Sequence, residues 1–382
     1  MKKPALTTII LVRNNTRSAY GGAEKYQLEL AKLLKASGLQ PIILTSSRQL
    51  NHSAKKANIP VTKSLWWSRQ NWSGRHNLLL PAYFVWQFIL LCWYLQIIIR
   101  YKPTVLHLQS QDDFIAGTLA GKLLKVRVIW TDHADFRWLL KNVDQEYKNL
   151  IGKTILRLAK FTSSIITVSN YEYSYLTKNP KIKSRFGNKL RVIHNGAIDV
   201  QSQYSRQSTR SKITLCFVGR AVAEKGIHEL LQAFSELAPT YRNLCLDICG
   251  HADSSLTKQY RAHKNITFHS HLDDPLPILA AAHLFVLPTH KEGLSLALTE
   301  ACMMQKAIIT TNVDGNPEII IDHQTGLLVD PQNTKQLKTA IKNLIDHPKL
   351  RQKLASAARQ NYLDNFNFAT IVRAQIIPLY TC

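Results

Sequence analysis

Short hydrophobic runs recur along the chain, and stretches of helical length separate them. The runs do not alternate between apolar and polar positions, which is typical of parallel strands that are covered on both faces. They lie at 7–12, 41–45, 105–108, 126–131, 164–168 and 190–194, and then at 213–218, 245–249, 266–268, 284–287 and 307–310. A helix is predicted at 22–36. The pattern predicts an α/β fold with two doubly wound parallel sheets.

Two sheets imply two domains, and a chain of 382 residues is long enough for both. The segment 199–212 is rich in Ser, Gln and Arg, which is the composition of a linker. We therefore predict an N-terminal domain at 1–198, a C-terminal domain at 199–358 and a final helical segment at 359–382.

The segment 78–99 contains no charged residue in 22 positions. This length is sufficient for a membrane-spanning helix, although Pro81, Gln87 and Gln96 weaken that interpretation. There are two alternatives. The segment is either a buried helix that precedes the strand at 105–108, or a helix that lies partly in a membrane interface or docks a lipid acceptor.

Net charge is concentrated in the first half. Residues 1–200 hold 30 Lys+Arg and 10 Asp+Glu, a net charge of +20, and the remaining residues carry only +4 of the total of +24. A basic half suits a polyanion such as an anionic leaflet, a phosphorylated glycolipid or nucleic acid. Cationic and indole side chains alternate, as in membrane-interface anchors, at Lys63, Trp66, Trp67, Arg69, Trp72 and Arg75. Because no nucleic-acid motif accompanies them, we predict an anionic membrane surface as a partner, and no nucleic acid.

The cysteines and the N-terminal run favour a reducing, cytoplasmic location. None of the six cysteines forms a Cys-x-x-Cys pair, and several lie in apolar runs. The charged start and the apolar run to Val12 resemble a signal peptide, but the run is short and no small-residue cleavage site follows it. We interpret the run as the first strand.

The candidate chemistry centres on a loop that runs into a helix and carries Glu292, Gly293 and Glu300. Eight helical residues span about 12 Å, whereas the paired carboxylates of a glycosidase lie roughly 5–9.5 Å apart. The spacing suits two contacts along one long ligand, such as the sugar and the ribose of a nucleotide-sugar.

Further motifs stand in a fixed order around this loop. They are GGAE at 21–24, VLHL at 105–108, WTDH at 130–133, VIHNG at 192–196, FVGR and EKG within 217–226, and GNPE at 315–318. Over nearly the whole chain this order resembles glycosyltransferase family 4. Members of that family are retaining nucleotide-sugar transferases with the GT-B fold, in which two Rossmann-like domains face a central cleft and the final helix often crosses back to the first domain.

The resemblance implies a donor site in the second domain. Arg220 and Lys225 would bind the diphosphate and stabilise the charge of the leaving group. Glu300 would bind the ribose hydroxyls, and Glu292 would lie beside the transferred sugar without acting as a nucleophile. Gly219 and Gly293 would allow the backbone to approach the ligand closely. The backbone amides of Leu294 and Ser295, at the start of the helix, would face the phosphate.

In the first domain, the resemblance implies that Gly21 and Gly22 pass close to the diphosphate and that His133 lies near the sugar and the acceptor. Glu24 is predicted as a first-turn helix residue that the helix dipole favours. Asp132, His133 and Asp135 would also be compatible with a metal. The family needs no catalytic divalent ion, so we predict no metal and no cofactor besides the donor.

The expected activity is therefore the metal-independent, retaining transfer of a hexose-type sugar to a surface glycan or glycolipid, such as a lipopolysaccharide core. The basic, apolar first half suggests a protein on the cytoplasmic face of the inner membrane. Two alternatives stay open: an acceptor-free relative such as a nucleotide-sugar epimerase, and a non-catalytic membrane-binding protein on a transferase scaffold. The sequence departs from the family pattern at 304–307, at Ala252 and at Ser270, which leaves the sugar preference undetermined.

Overall fold

The structure is a computed structural model that describes residues 7–14, 21–65, 80–133, 146–204, 212–260, 262–270, 272 and 274–381. Its contacts divide the chain into two compact units, one of residues 1–194 with 369–382 and the other of residues 195–368. The division falls at His194 and Phe368, where the sequence suggested 198 and 358. Residues 199–204, the described start of the predicted linker, belong to the second unit. Just before them, the amide of Ala197 donates to the carbonyl oxygen of Phe366 at 3.2 Å, at the end of the last long helix.

The first unit contains a parallel sheet of seven strands in the order β3-β2-β1-β4-β5-β6-β7. Its strands are β1 (Thr8–Arg13), β2 (Gln40–Thr45), β3 (Val61–Lys63), β4 (Val105–Leu108), β5 (Arg127–Asp132), β6 (Ser164–Thr167) and β7 (Leu190–Val192). Its helices before the last strand are α1 (Gly22–Ala36), α2 (Arg48–Lys56), α3 (Leu80–Tyr101), α4 (Phe114–Leu123), α5 (Glu146–Leu158), α6 (Asn170–Thr177) and α7 (Pro180–Phe186).

The second unit contains a parallel sheet of six strands in the order β10-β9-β8-β11-β12-β13. Its strands are β8 (Ile213–Val218), β9 (Leu244–Cys249), β10 (Ile266–His269), β11 (Leu284–Leu287), β12 (Ala307–Thr311) and β13 (Leu327–Val329). Its helices are α8 (Ile227–Leu237), α9 (Ser254–Gln259), α10 (Leu276–Ala281), α11 (Leu296–Met303), α12 (Asn316–Ile319), α13 (Thr334–Asp346) and α14 (Pro348–Asn365).

The predicted α/β class with two parallel sheets is confirmed. The central strands are buried along their whole length, as the unpatterned apolar runs indicated. Two of the four edge strands, β3 and β13, were not predicted. Each has only three residues, and β3 is polar in part and incompletely buried, so neither forms a long apolar run.

The uncharged segment forms α3, and this helix buries one face only. The buried side chains are Tyr83, Gln87, Leu90, Tyr94, Ile97 and Ile98. By length and composition α3 could cross a membrane, and 33% of its most apolar window is buried. The first alternative, a buried helix before the strand at 105–108, therefore holds for one face of α3 only.

A spanning α3 is incompatible with this sheet. Strand β1 precedes α3 and β4 follows it, yet the two strands pair in parallel, with Ile9 beside Val105. A span between them would place paired strands on opposite sides of a bilayer. The tryptophans at 66, 67 and 72 that suggested an interface anchor lie outside the described residues.

The last residues of the chain pack on the first unit. After α15 (Phe368–Ile371) comes a π-helical turn, Val372–Ile376, and then α16 (Ile377–Thr381). The hydroxyl of Tyr380 lies 2.6 Å from Nδ1 of His107 in β4, and Nε2 of the same ring lies 2.7 Å from Oγ1 of Thr131. Burial lowers the pKa of His107 to about 3, so this imidazole is neutral.

Candidate active site

Two loops of the second unit are fastened together at the carboxyl ends of β8 and β11. A 3-10 turn, Ala223–Lys225, follows β8. The carbonyl oxygen of Glu224 accepts hydrogen bonds from the amide of His290 at 2.9 Å and from the hydroxyl of Thr289 at 3.2 Å. The hydroxyl of Thr311 in turn donates to the carbonyl of Thr289 at 2.5 Å. The turn that carries Lys225 is thereby held against the loop that carries Glu292.

Lys225 and Glu292, both predicted from the sequence, meet at this point. Nζ of Lys225 lies 2.5 Å from Oε2 of Glu292, and the two side chains are 17% and 18% exposed. A partly enclosed ion pair is screened less by water than a surface pair. The carboxylate of Glu292 thus holds the ammonium group of Lys225 in one place.

Gly226 makes the close approach of the two loops possible. Its φ is 71°, a left-handed conformation, and a Cβ atom at this position would lie 1.9 Å from the carbonyl oxygen of Pro288. A glycine also follows β8, the strand before this turn. Gly219 has a φ of 152°, and a Cβ on Gly250 would lie 2.0 Å from its carbonyl oxygen. Only glycine fits such conformations and contacts.

Asp314 fixes the backbone of the glutamate loop, and sequence reasoning did not identify it. Its Oδ2 accepts a hydrogen bond from the amide of Glu292 at 3.1 Å. A Cβ on the next residue, Gly315, would lie 2.1 Å from the carbonyl oxygen of Gly293. The GNPE motif signalled this loop, but only the fold shows that it packs on Gly293.

Helix α11 begins directly after this loop. Oγ of Ser295 caps the helix by accepting the amide of Leu298 at 3.4 Å, and Leu294 is buried. Glu300 lies within α11 and is 5% exposed. Burial, a hydrogen bond to Asp274 and the charges of Asp274 and Glu300 raise the pKa of Tyr204 to about 12. Tyr204 therefore lies near Glu300, while the roles of Leu294, Ser295 and Glu300 toward a nucleotide stay predictions.

Arg220 stands apart from this pair. It is exposed, and its guanidinium makes no hydrogen bond to the described part of the chain. The structure therefore brings together Lys225 and Glu292 of the predicted donor residues, and leaves Arg220 exposed and outside this pair.

In the first unit, His133 follows β5 and lies beside the end of β4. Its Nε2 lies 2.9 Å from Oε1 of Gln109, and its ring meets the ring of Tyr26 edge-on at 4.6 Å between centroids. Burial, with smaller effects from Arg13 and His107, lowers the pKa of His133 well below its usual range. The imidazole is therefore neutral, and a proton on Nε2 leaves Nδ1 as an acceptor.

Two buried polar atoms beside this contact have no hydrogen-bond partner among the residues that the structure describes. They are Nδ1 of His133 and Nε2 of Gln109. A buried polar atom without a partner costs about 1–3 kcal/mol, so a ligand hydroxyl here would be bound favourably. Gln109 was not predicted, since nothing in the sequence marks the residue after β4 as a neighbour of His133.

The predicted glycine pair begins α1, and Glu24 holds it there. Both Gly21 and Gly22 are exposed. Oε2 of Glu24 accepts the amide of Gly21 at 3.0 Å, and its Oε1 accepts Nε of Arg13 at 3.0 Å. Nη1 of Arg13 also donates to the carbonyl of Gln109 at 3.0 Å. Glu24 is the predicted first-turn residue, and it also ties the glycine turn to β1 and β4.

No group of three or more His, Cys, Asp or Glu side chains suited to a metal occurs within the described ranges. Of the residues considered for a metal, Asp132 is buried and accepts a hydrogen bond from Gln111, and Asp135 lies outside those ranges. Metal independence stays a prediction.

Comparisons with known proteins cover both units. Residues 20–200 match the family model described as Glycosyltransferase Family 4, and residues 201–361 match the model described as Glycosyl transferases group 1. The chain is 30% identical to glycogen synthase of Mycobacterium tuberculosis over 228 residues, which are 57% of this chain and 54% of that protein. The chain thus spans about half the length of that curated relative.

Solved structures agree in fold. A glycosyltransferase from Rickettsia africae superimposes with a TM-score of 0.75 at 20% identity, covering 98% of both chains. HepE of Anabaena in complex with UDP-glucose gives a TM-score of 0.75 at 16% identity, over 98% of this chain and 100% of that one. The two family models, which together cover residues 20–361, show that the chain belongs to glycosyltransferase family 4, and the solved neighbours show the GT-B fold.

Proposed function

We propose that this protein is a retaining, metal-independent glycosyltransferase that moves a hexose-type sugar from a nucleotide-sugar to a surface glycan or glycolipid. The observation that carries the proposal is the Lys225–Glu292 ion pair, 2.5 Å long and held between two fastened loops. Relatives support the substrate class. One is named a capsular polysaccharide biosynthesis glycosyltransferase, and a structural neighbour was solved with UDP-glucose.

The ion pair suits the separation of charge in such a transfer. When the glycosidic bond breaks, negative charge grows on the diphosphate and positive charge grows on the sugar ring. Lys225 would pass from Glu292 to the diphosphate oxygens, joined there by the exposed Arg220. Glu292 would then be free to accept hydroxyls of the sugar or to stabilise the ring cation, without a covalent intermediate.

The first unit would contribute recognition of sugar hydroxyls. A neutral His133 offers Nδ1 as an acceptor, and Gln109 offers a buried amide hydrogen as a donor. A single sugar hydroxyl group would donate to Nδ1 of His133 and accept from Nε2 of Gln109. The exposed turn at Gly21 and Gly22 would let backbone approach the diphosphate.

The acceptor would be a polysaccharide or lipopolysaccharide intermediate at the cytoplasmic face of the inner membrane. The basic first half, +20 over residues 1–200, favours an acceptor that carries phosphate or is embedded in an anionic leaflet.

The test begins with melting curves of the purified protein with UDP-, GDP-, ADP- and dTDP-sugars, UDP-glucose first. A ligand at about 100 times its Kd adds about 2.7 kcal/mol to the stability of the unit that binds it. We expect one nucleotide to raise the melting temperature, and Lys225→Ala to abolish most of that rise. Lys335→Ala, a change of an exposed lysine on α13, is the matched control.

The chemistry is then tested with the nucleotide-sugar so selected. NMR of the released or transferred sugar should show the donor's anomeric configuration, and EDTA should leave the rate unchanged. Glu292→Gln should lower kcat by about a hundredfold or more. A protein that is folded but binds no nucleotide-sugar would overturn the proposal, and an inverted product would overturn its stereochemistry alone.

A further inference from the structure

The outward face of α3 is apolar from Val85 to Ile99 except at Gln96. Its large exposed side chains are Val85, Phe88, Ile89 and Ile99, at 60%, 65%, 46% and 63% exposure, and Cys92 and Gln96 lie between them. At 100° per residue these six positions fall within an arc of about 100°, and from Val85 to Ile99 they extend over about 21 Å. We call them the α3 outer face.

Polar contacts fix the opposite face of α3 to the 3-10 turn after β4, Gln111–Asp113. Oη of Tyr94 donates to Oδ1 of Asp113 at 2.8 Å, and the Gln87 amide donates to the carbonyl of Asp112 at 3.0 Å. Helix α3 is therefore packed on the first unit in a fixed orientation, and its outer face cannot turn inward without breaking these hydrogen bonds. An exposed apolar strip of this length on a folded unit is the usual mark of an interaction surface.

The stretch of sequence that contains α3 carries charge of one sign. Between Glu29 and Asp112 the sequence has ten Lys or Arg residues and no Asp or Glu. Five exposed members lie near β3 and the end of α3: Lys55, Lys56, Lys63, Arg100 and Lys102. We call these five the basic edge. The hydroxyls of Thr62 in β3 and Tyr101 in α3 lie 2.9 Å apart, so the basic edge adjoins the helix end.

We infer that the α3 outer face and the basic edge together dock this protein on an anionic lipid bilayer, with α3 lying in the interface. Apolar side chains enter the boundary of the acyl chains, and the cations meet anionic headgroups. A second copy of the chain would fit less well, because pairing would bring basic edges together with no acidic side chain from this stretch to offset them. The inference adds a partner to the proposed function and does not depend on sugar transfer.

The experiment measures binding of the full chain to vesicles of phosphatidylcholine, with and without about 30% phosphatidylglycerol, by flotation. We expect the protein to float only with the anionic vesicles and to be released by salt. The double variant Phe88→Glu/Ile89→Glu should lower the partition coefficient by about tenfold or more. Its control is Leu272→Glu/Leu363→Glu, which places the same two charges at leucines of the second unit that are 41% and 40% exposed.

A second pair of variants tests the basic edge. Lys55→Glu/Lys56→Glu should also lower the partition coefficient by about tenfold. The same reversal at two exposed lysines of the second unit, Lys335→Glu/Lys349→Glu, should lower it far less. Circular dichroism and the nucleotide-sugar melting shift establish that each variant is folded.

Failure of this inference can be told apart from failure of the proposed function. Equal flotation with neutral vesicles, or α3 variants that float like the parent protein, would overturn it. So would a dimer in light scattering that the α3 variant dissociates. Nucleotide-sugar binding is measured without lipid, so a loss of flotation with donor binding intact leaves the proposed function standing.

Discussion

At the scale of single residues, one carboxyl group joins three elements of the first unit. Oδ2 of Asp113 accepts Nδ2 of Asn14 at 2.9 Å, just after β1, and Oδ1 accepts Oη of Tyr94 in α3 at 2.8 Å. Burial raises the pKa of Asp113 from an ordinary 3.8 to about 7, against the opposing effect of these two hydrogen bonds. The proton of Asp113 is therefore part of the folded state at mildly acidic pH.

This raised pKa makes the stability of the first unit depend on pH. The folded state keeps the proton up to about pH 7, whereas the unfolded chain releases it near 3.8. The stabilisation present below pH 3.8 is thus lost as the pH rises to about 7. Calorimetry of the parent protein and Asp113→Asn should show their difference in unfolding free energy falling by about 1.4 kcal/mol per pH unit from pH 5 to 6.5.

The variant isolates this contribution because His107 titrates in both proteins and cancels in the difference. A difference that stays constant across the range would contradict a raised pKa at Asp113.

Gln109 is expected to set the tautomer of His133. We predict that Gln109→Leu lowers kcat/KM by about tenfold, because it leaves the imidazole of His133 without its partner. Gln109→Glu should instead raise the pKa of His133 and move the acid limb of the pH–rate profile upward. That effect opposes the lowering of the pKa by burial, by the cation of Arg13 and by the nearby His107.

The pH profile separates positioning from simple loss of structure. Gln40→Glu, the same change at an exposed residue of β2 whose side chain accepts the hydroxyl of Thr8, should leave the acid limb in place. An unmoved limb in Gln109→Glu would show that the two side chains are not coupled in the working enzyme.

At the scale of elements, the candidate donor site depends on backbone contacts that only glycine permits. Gly226→Ala is expected to destabilise the second unit by about 1–3 kcal/mol and to weaken nucleotide-sugar binding, because a methyl group would press on the carbonyl of Pro288. Gly38→Ala is the control: Gly38 has a φ of 80° but nothing within 4 Å of a Cβ. Denaturant unfolding of both variants checks the difference, and equal losses would mean that backbone strain alone, without the clash, explains it.

Strands were predictable where they are buried along their whole length. Site residues were predictable where the side chain is part of a sequence motif. The runs at 105–108, 213–218 and 284–287 coincide with strands, because an apolar strand in a covered sheet leaves a continuous signal. Lys225 and Glu292 were predictable because they stand in ordered motifs. Gln109, Arg13 and Asp314 were not, because their partners are fixed by which loops the sheets bring together.

The composition of the chain did not locate the boundary between the two units. The Ser- and Gln-rich segment at 199–212 looks like a linker, yet the units divide at His194. A polar composition reports exposure to water, while a unit is defined by contacts, such as the bridge between Ala197 and Asn367.

At the scale of the whole molecule, the C-terminal segment is part of the first unit. Tyr380→Phe should lower the unfolding free energy of that unit by about 1–3 kcal/mol, because a buried nitrogen of His107 loses its partner. The guanidinium of Arg127 would still donate to the carbonyls of Leu379 and Tyr380 and hold the C-terminal segment on the first unit. Calorimetry should show the first unit melting earlier and the second unchanged.

The control for this change is Tyr241→Phe, which removes an exposed hydroxyl contact to Asp346 in the second unit. We expect it to have little effect on either transition. A similar effect of both variants would argue against a special role for the C-terminal contact.

The His107–Tyr380 contact also sets an order of assembly during synthesis. It joins positions 273 residues apart, whereas the second unit is one continuous stretch, 195–368. A ribosome therefore completes everything that the second unit needs while the sheet of the first unit still lacks its last covering helix. Until Tyr380 is synthesised, Nδ1 of His107 in β4 lacks its hydrogen-bond partner, and the first unit completes its packing only after the second unit has been made.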